Sequence, residues 1–120
     1  MSNAKIPIEV KKYYKRELYQ YKKNKERLDD IIINKQKANT RNILFLQQRL
    51  ENIETVISKL DTFEKEVFDM IFNQNMDWLY CKTFKGIDKS TYYNIINKCI
   101  YLLAEEEGEM WQKKYRKLSQ

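Results

Sequence analysis

From Pro7 onward the apolar positions fall at Tyr14, Leu18, Tyr21, Leu28 and Ile32, with Lys25 keeping the register, in steps of four and three residues. That spacing is a heptad seam and predicts a long helix, because a strand would alternate at every second position. Pro7, the only proline, suits a helix start, where its missing N–H would be unpaired in any case. The opposite face is basic, with Lys11, Lys12, Lys15, Arg16, Lys22, Lys23 and Arg27 interrupted by Glu17 and Glu26. The polar stretch 34–40, NKQKANT, loses the period and reads as a connection. A second seam then runs through Ile43, Leu46, Leu50, Ile53, Ile57 and Leu60. Two such helices either fold back as an antiparallel hairpin or zip against a second chain, and periodicity does not choose between these.

Asp61 and Glu64 have the spacing of a capping box, which predicts a new helix whose buried stripe is Phe63, Val67 and Ile71, with Met70. Asn73–Asn75 breaks it, and a short helix is expected from Met76 to Phe84. Gly86 supplies the positive φ of a tight turn, and Asp88 caps a last helix from Lys89 to about Glu106, which Gly108 stops. The rest, around Trp111 and the basic KKYRK at 113–117, is a short helix or a tail. There is no β signal of useful length and no internal repeat.

Helix, turn, short helix, glycine turn and longer helix is the layout of a helix-turn-helix. Ile87 plugs the turn, and Tyr92, Ile95, Ile96, Cys99, Leu102 and Leu103 form one apolar stripe of the last helix. Lys89, Ser90, Tyr93, Asn94, Asn97 and Lys98 fall on the other side. Such groups donate to phosphates and base edges; asparagine pairs with adenine, and tyrosine touches a phosphate or a thymine methyl. The candidate DNA-binding residues on this reading are Lys85, Lys89, Ser90, Tyr93, Asn94, Asn97 and Lys98.

Composition narrows the choice by what is missing. No histidine occurs among the 120 residues, which excludes His-based triads and HExxH metal sites. Gly86 and Gly108 are the only glycines and build neither GxGxxG nor GxxxxGK[ST]. No catalytic, cofactor or metal site is assembled, so an enzyme is not expected. Cys81 and Cys99 lack CxxC spacing and read as reduced, buried thiols of a cytoplasmic protein. No apolar run approaches the ~20 residues of a membrane span, and no signal-peptide pattern is present. The charge of +6 is uneven: residues 1–60 carry +7 and residues 61–104 carry −1. A weakly charged reading module gains DNA affinity from a basic arm, a dimer or a partner.

Three stretches resemble the RinA/ArpU family of phage transcriptional regulators. KRELYQYKKNKERLDDII, 15–32, resembles the family's N-terminal helix; LDTFEKEVFDMIF, 60–72, the helix that opens the helix-turn-helix; and GIDKSTYYNIINKCIYLLAEEEGE, 86–109, the recognition helix with its closing LAE..GE. The resemblance implies a C-terminal half similar to region 4 of sigma-70-type factors, with Lys89, Ser90, Thr91, Tyr93 and Asn94 near the major groove. It implies activation of late phage genes. Tyr93 and Asn94 stand where the family often has arginine.

The expected protein is all-α: an N-terminal antiparallel coiled-coil-like helix pair (1–60), a sigma-region-4-like helix-turn-helix (61–108) and a basic tail or short helix (109–120). Its expected function is phage or prophage transcription regulation on double-stranded DNA, as a homodimer or with RNA polymerase, without a membrane or cofactor. A dimer would read half-sites about 34 Å or a multiple apart. The rivals are a small-terminase-like packaging protein and a polymerase- or sigma-binding module that never touches DNA. Most tyrosines are expected in the core, with Tyr93 the exception, and the acidic run Glu105–Glu107 is expected to be a solvated helix end.

Overall fold

The computed structural model describes residues 6–33 and 40–108. Its helices are α1 (Ile8–Tyr19), α2 (Tyr21–Ile33), α3 (Thr40–Ser58), α4 (Thr62–Phe68), α5 (Trp78–Lys85) and α6 (Lys89–Glu107). A π-helical segment, Asp69–Asn73, extends α4. No strand occurs among the described residues, so the chain is all-α as expected. Of the connection expected at 34–40, residues 34–39 lie outside the described residues and Thr40 is the first residue of α3; the tail at 109–120 also lies outside them.

The first long helix is divided. Pro7 precedes α1 and its carbonyl accepts from the Lys11 N–H at 3.0 Å. Gln20, with φ −93° and ψ 0°, marks the joint; its N–H is shared between the Arg16 and Glu17 carbonyls, and its own carbonyl accepts from the Asn24 N–H at 2.8 Å. The joint sits over an aromatic pair, Phe68 and Phe72, whose ring centroids are 4.9 Å apart. Tyr19 meets Phe72 edge-on at 4.9 Å, and Tyr21 meets Phe68 at 6.4 Å. Edge-to-face contacts of this kind add to the burial of the rings themselves.

Past the joint the two halves separate their duties. α2 lies along α3 and α1 packs on α6, while both touch the π-helical segment. The seam expected to continue to Ile32 fades: Leu28 is half-buried, and Lys25 and Ile32 are exposed. In α3 the expected Leu50 and Ile53 are buried, as is Leu60 just past its end, but so is Val56, while Ile43, Leu46 and Ile57 are only half-covered. The buried stripe is turned because α3 faces two neighbours, α2 and α6, instead of one.

α6 is the element that most others rest on, touching α1, α3, α4 and α5. Tyr92, Ile95, Ile96, Cys99, Ile100, Leu103 and Ala104 line its inner side, and Leu102 is half-buried. One hydrophobic cluster runs from Ile6, Val10, Tyr14 and Leu18 through Ile53 and Val56 to α6. The core therefore crosses the position between Leu60 and Asp61.

Two expectations are corrected here. Phe63, expected in the core, is 44% exposed; it lies in the first turn of α4, off the stripe of Val67, Phe68, Ile71 and Phe72. The acidic run Glu105–Glu107 is not a solvated end: Arg49 and Glu107 are 4% and 7% exposed and form an ion pair between α3 and α6. Arg49 Nη2 also donates to the Tyr13 hydroxyl at 2.7 Å and lies 4.0 Å from Glu17. Its guanidinium stacks over the Tyr13 ring at 5.4 Å. Burial first, opposed by Arg49, pushes the Tyr13 phenol up to about 12. Glu106 pairs with Lys59 at 2.6 Å, so two members of the run tie α6 to the middle of α3 and to the residue just past its end.

Candidate nucleic-acid interface

Three aspartates punctuate the C-terminal half. Asp61 and Glu64 make the reciprocal capping box of α4, at 2.8 and 3.0 Å. Asp77 caps α5 through the Tyr80 N–H at 3.0 Å, so this helix begins at Trp78 and not at Met76. Asp88 caps α6 through the Thr91 N–H at 2.7 Å. The Thr91 side chain and then its backbone N–H hold the Asp88 carboxyl below the usual carboxylate range. Each cap satisfies N–H groups that the first turn of a helix leaves unpaired.

The turn between α5 and α6 is built as the sequence predicts. Gly86 has φ 66°, in the left-handed region, and its N–H bonds to the Lys82 carbonyl at 2.9 Å. Ile87 is buried, and its N–H points back to the Cys81 carbonyl at 3.4 Å. Buried Cys81 and Cys99 carry free thiols, and burial pushes the Cys99 thiol up to about 12. Asn75, with φ 54°, makes the earlier turn after the π-helical segment. The order α4, turn, α5, glycine turn, α6 is thus present.

The outer side of α6 carries Lys89, Ser90, Tyr93, Asn94, Asn97 and Lys98, all exposed, while Thr91 is half-buried beside its cap. No acidic residue occurs from Lys89 to Ala104. At 1.5 Å per residue the exposed row from Lys89 to Lys98 is about 13 Å long, close to the ~12 Å width of a B-DNA major groove. Tyr93 packs edge-on against buried Tyr92, with centroids 5.0 Å apart, which fixes its ring while leaving it open to solvent. Tyr92 is held by the Met76 carbonyl at 3.5 Å, and burial raises its pKa above the ordinary phenol range.

The lysines divide into two kinds. Lys98 donates to both oxygens of Glu64, at 2.8 and 2.9 Å, and this bond is the main reason the Glu64 carboxyl is held low and the Lys98 ammonium high. Lys85 pairs with Glu66. Two of the three expected DNA-contacting lysines are therefore already engaged by α4. Lys82 and Lys89 instead lie over the half-buried Trp78 ring, at 5.3 and 5.7 Å from its centroid. Sequence reasoning left Lys82 and Trp78 out of the site. Their spacing of four residues on one helix was a visible signal, but the arrival of Lys89 depends on the fold of the turn.

The far flank of α5 is apolar. Leu79, Tyr80 and Phe84 are all exposed, and the Tyr80 and Phe84 rings lie nearly parallel, 6.2 Å apart. Among the described residues, no cluster of three or more His, Cys, Asp or Glu is placed to hold a metal ion, and no helix is long and apolar enough to cross a membrane. No protein-family model, no curated protein and no solved structure matches the chain.

Proposed function

We propose that this chain is a DNA-binding transcription regulator that reads double-stranded DNA with the first turns of α6. The observation that carries this reading is the acid-free, hydrogen-bonding face of α6, held rigid by a buried inner side and by the Asp88 cap. Ser90, Tyr93, Asn94 and Asn97 are the base-reading set, and Lys89 is a backbone contact. The arrangement of α4 to α6 is taken as a sigma-region-4-like helix-turn-helix and α2–α3 as the coiled-coil-like pair. The resemblance to RinA/ArpU regulators supplies the setting: a phage or prophage activator of late genes in the bacterial cytoplasm, acting as a homodimer or with RNA polymerase.

The test is binding to fragments of the genome surrounding its gene across a salt series, with Tyr93→Ala and Asn94→Ala beside the wild type. One preferred fragment is expected, with each variant losing about 1–3 kcal/mol of discrimination. Binding that never prefers a fragment, or a preference untouched by both substitutions, refutes base reading by α6. The exposed Leu79, Tyr80 and Phe84 favour one second reading, a module that docks on polymerase or sigma factor. On that reading, substitution of Asn94 leaves complex formation intact.

A further inference from the structure

Four lysines stand near the start of α6, and on charge alone they would be equivalent: Lys82, Lys85, Lys89 and Lys98. Geometry separates them. Lys85 and Lys98 are neutralised by Glu66 and Glu64 of α4. Lys82 and Lys89 make no ion pair with a carboxylate among the described residues. Both ammonium groups instead lie within 6 Å of the centre of one ring, that of Trp78. A cation over an indole gains about 0.5–1 kcal/mol at an exposed site, but two cations drawn to one ring repel each other. Among the described residues no carboxylate is ion-paired with either lysine, so a phosphate oxyanion that reaches both meets two unneutralised cations.

Neither capping carboxylate is ion-paired with these lysines. Asp88 and Asp77 are turned onto the N–H groups of Thr91 and Tyr80. On α5, Trp78 and Lys82 are separated by about 40° around the helix axis, and Tyr80 lies about 200° from Trp78. The cationic flank therefore adjoins the start of α6, and the apolar flank points elsewhere. The ring also fixes the direction of two long side chains, so less rotamer freedom is lost when an anion is gripped.

We infer that Lys82, Trp78 and Lys89 form a phosphate clamp, which grips the phosphodiester backbone beside the bases that α6 reads, and that Lys85 and Lys98 take no part in it. The shared chemistry is a phosphate oxyanion, from a nucleic-acid strand or a free polyphosphate. As a grip on DNA the inference rests on the reading above; as a phosphate site it does not.

The experiment uses the full chain carrying Trp111→Phe, so that Trp78 is the only indole. Two probes are titrated over a salt series: a random-sequence duplex and sodium tripolyphosphate. Each is added to the parent and to Lys82→Gln, Lys89→Gln, Lys85→Gln and Lys98→Gln. Anisotropy of a labelled duplex and the emission of Trp78 are read. Each phosphate contact contributes about 0.9 to the slope of log affinity against log salt. Lys82→Gln and Lys89→Gln should each lower that slope by about 1 and weaken duplex binding about 5–10-fold near 0.1 M salt. Lys85→Gln and Lys98→Gln should leave the slope unchanged. A Trp78 response to tripolyphosphate that needs both lysines, with no duplex binding at any salt, keeps the clamp as a free-polyphosphate site and ends the DNA reading. Duplex binding with unchanged slopes in Lys82→Gln and Lys89→Gln overturns the clamp and leaves the DNA reading standing. Equal losses in all four variants also overturn it, because the geometry would then not distinguish them. Silence of both probes overturns both.

Discussion

Removing Arg49 should destabilise the protein more than any other single change outside the apolar core. Its guanidinium is 4% exposed and faces Glu107, which is 7% exposed, across 58 residues of sequence. Breaking such a pair from one side leaves a buried charge unmatched, at a cost of about 3–5 kcal/mol. Arg49→Met is therefore expected to lose that much, because the buried Glu107 carboxylate loses the guanidinium it faces. Glu107→Gln should lose less, about 1–3 kcal/mol, since the amide oxygen still accepts a hydrogen bond. Glu17, 4.0 Å from Arg49, also remains. With an unfolding entropy of about 2.1 cal/mol/K per residue, the 120-residue chain loses roughly 12–20 °C in Tm for the first variant. The double variant Arg49→Met/Glu107→Leu removes both charges and should recover to within about 1 kcal/mol of the wild type. Thermal and urea unfolding followed by circular dichroism measure all three, and the losses should be nearly the same at low and moderate salt, because buried charges are poorly screened. Single variants within 1 kcal/mol of the wild type, or a double variant worse than Arg49→Met, would refute the claim that this pair holds α3 to α6.

Gly86→Ala should cost about 1–2 kcal/mol through backbone conformation alone, since an added Cβ there meets no atom within 4 Å while φ is 66°; Gly86→Asn should recover part of the loss in the same melts. Acid should weaken the fold. Glu64, Asp69 and Asp88 are held below their ordinary values by Lys98, by Asn73 and Gln74, and by Thr91. Their stabilisation is complete above the ordinary carboxylate range and is lost as pH falls through the depressed values. Stability should therefore be flat near neutrality and fall below about pH 4, as urea midpoints across pH will show. Alkali acts by the opposite sign: burial raises Tyr13 and Cys99 to about 12, so what they contribute is present below their unfolded pKa values and is lost as pH climbs toward 12. The part of the tyrosinate absorbance that belongs to Tyr13 should rise late and together with unfolding. Cys81 and Cys99, both buried, should resist a thiol reagent in the native protein and react at once in urea; rapid native reaction would contradict their burial.

The C-terminal half was legible because its signals are local. Asp61, Gly86, Asp88 and Gly108 act through bonds to residues three to five positions away, so spacing alone locates them. Asp77 is of the same kind, and its cap could have been read from the step to Tyr80. The exposed side of α6 was legible too, since a nineteen-residue helix keeps its phase. What eluded the sequence depends on partners far along the chain. Arg49 reads as a surface residue until α6 brings Glu107 to it, and the stripe of α3 turns because two helices press on it. The π-helical segment set Phe68 and Phe72 beneath Tyr21 and Tyr19, where heptad spacing had favoured Phe63. The lysines followed the same rule: equal as charges in the sequence, they became unequal once Glu64, Glu66 and Trp78 had been brought to them.

Because α6 is a wall of the core on one side and open on the other, the residues that hold the fold and those of the proposed reading face share a helix without being the same residues. Exchanges at exposed positions usually change stability by no more than about 0.5 kcal/mol, whereas truncation of a buried Ile or Leu costs about 2–5 kcal/mol. The outward positions Ser90, Tyr93, Asn94 and Asn97 are thus free to drift or to be redesigned while Ile95, Ile96, Cys99 and Leu103 keep the frame unchanged. A library varied only at those outward positions would consist of proteins with one common architecture, and any difference in what its members bind would belong to those side chains alone.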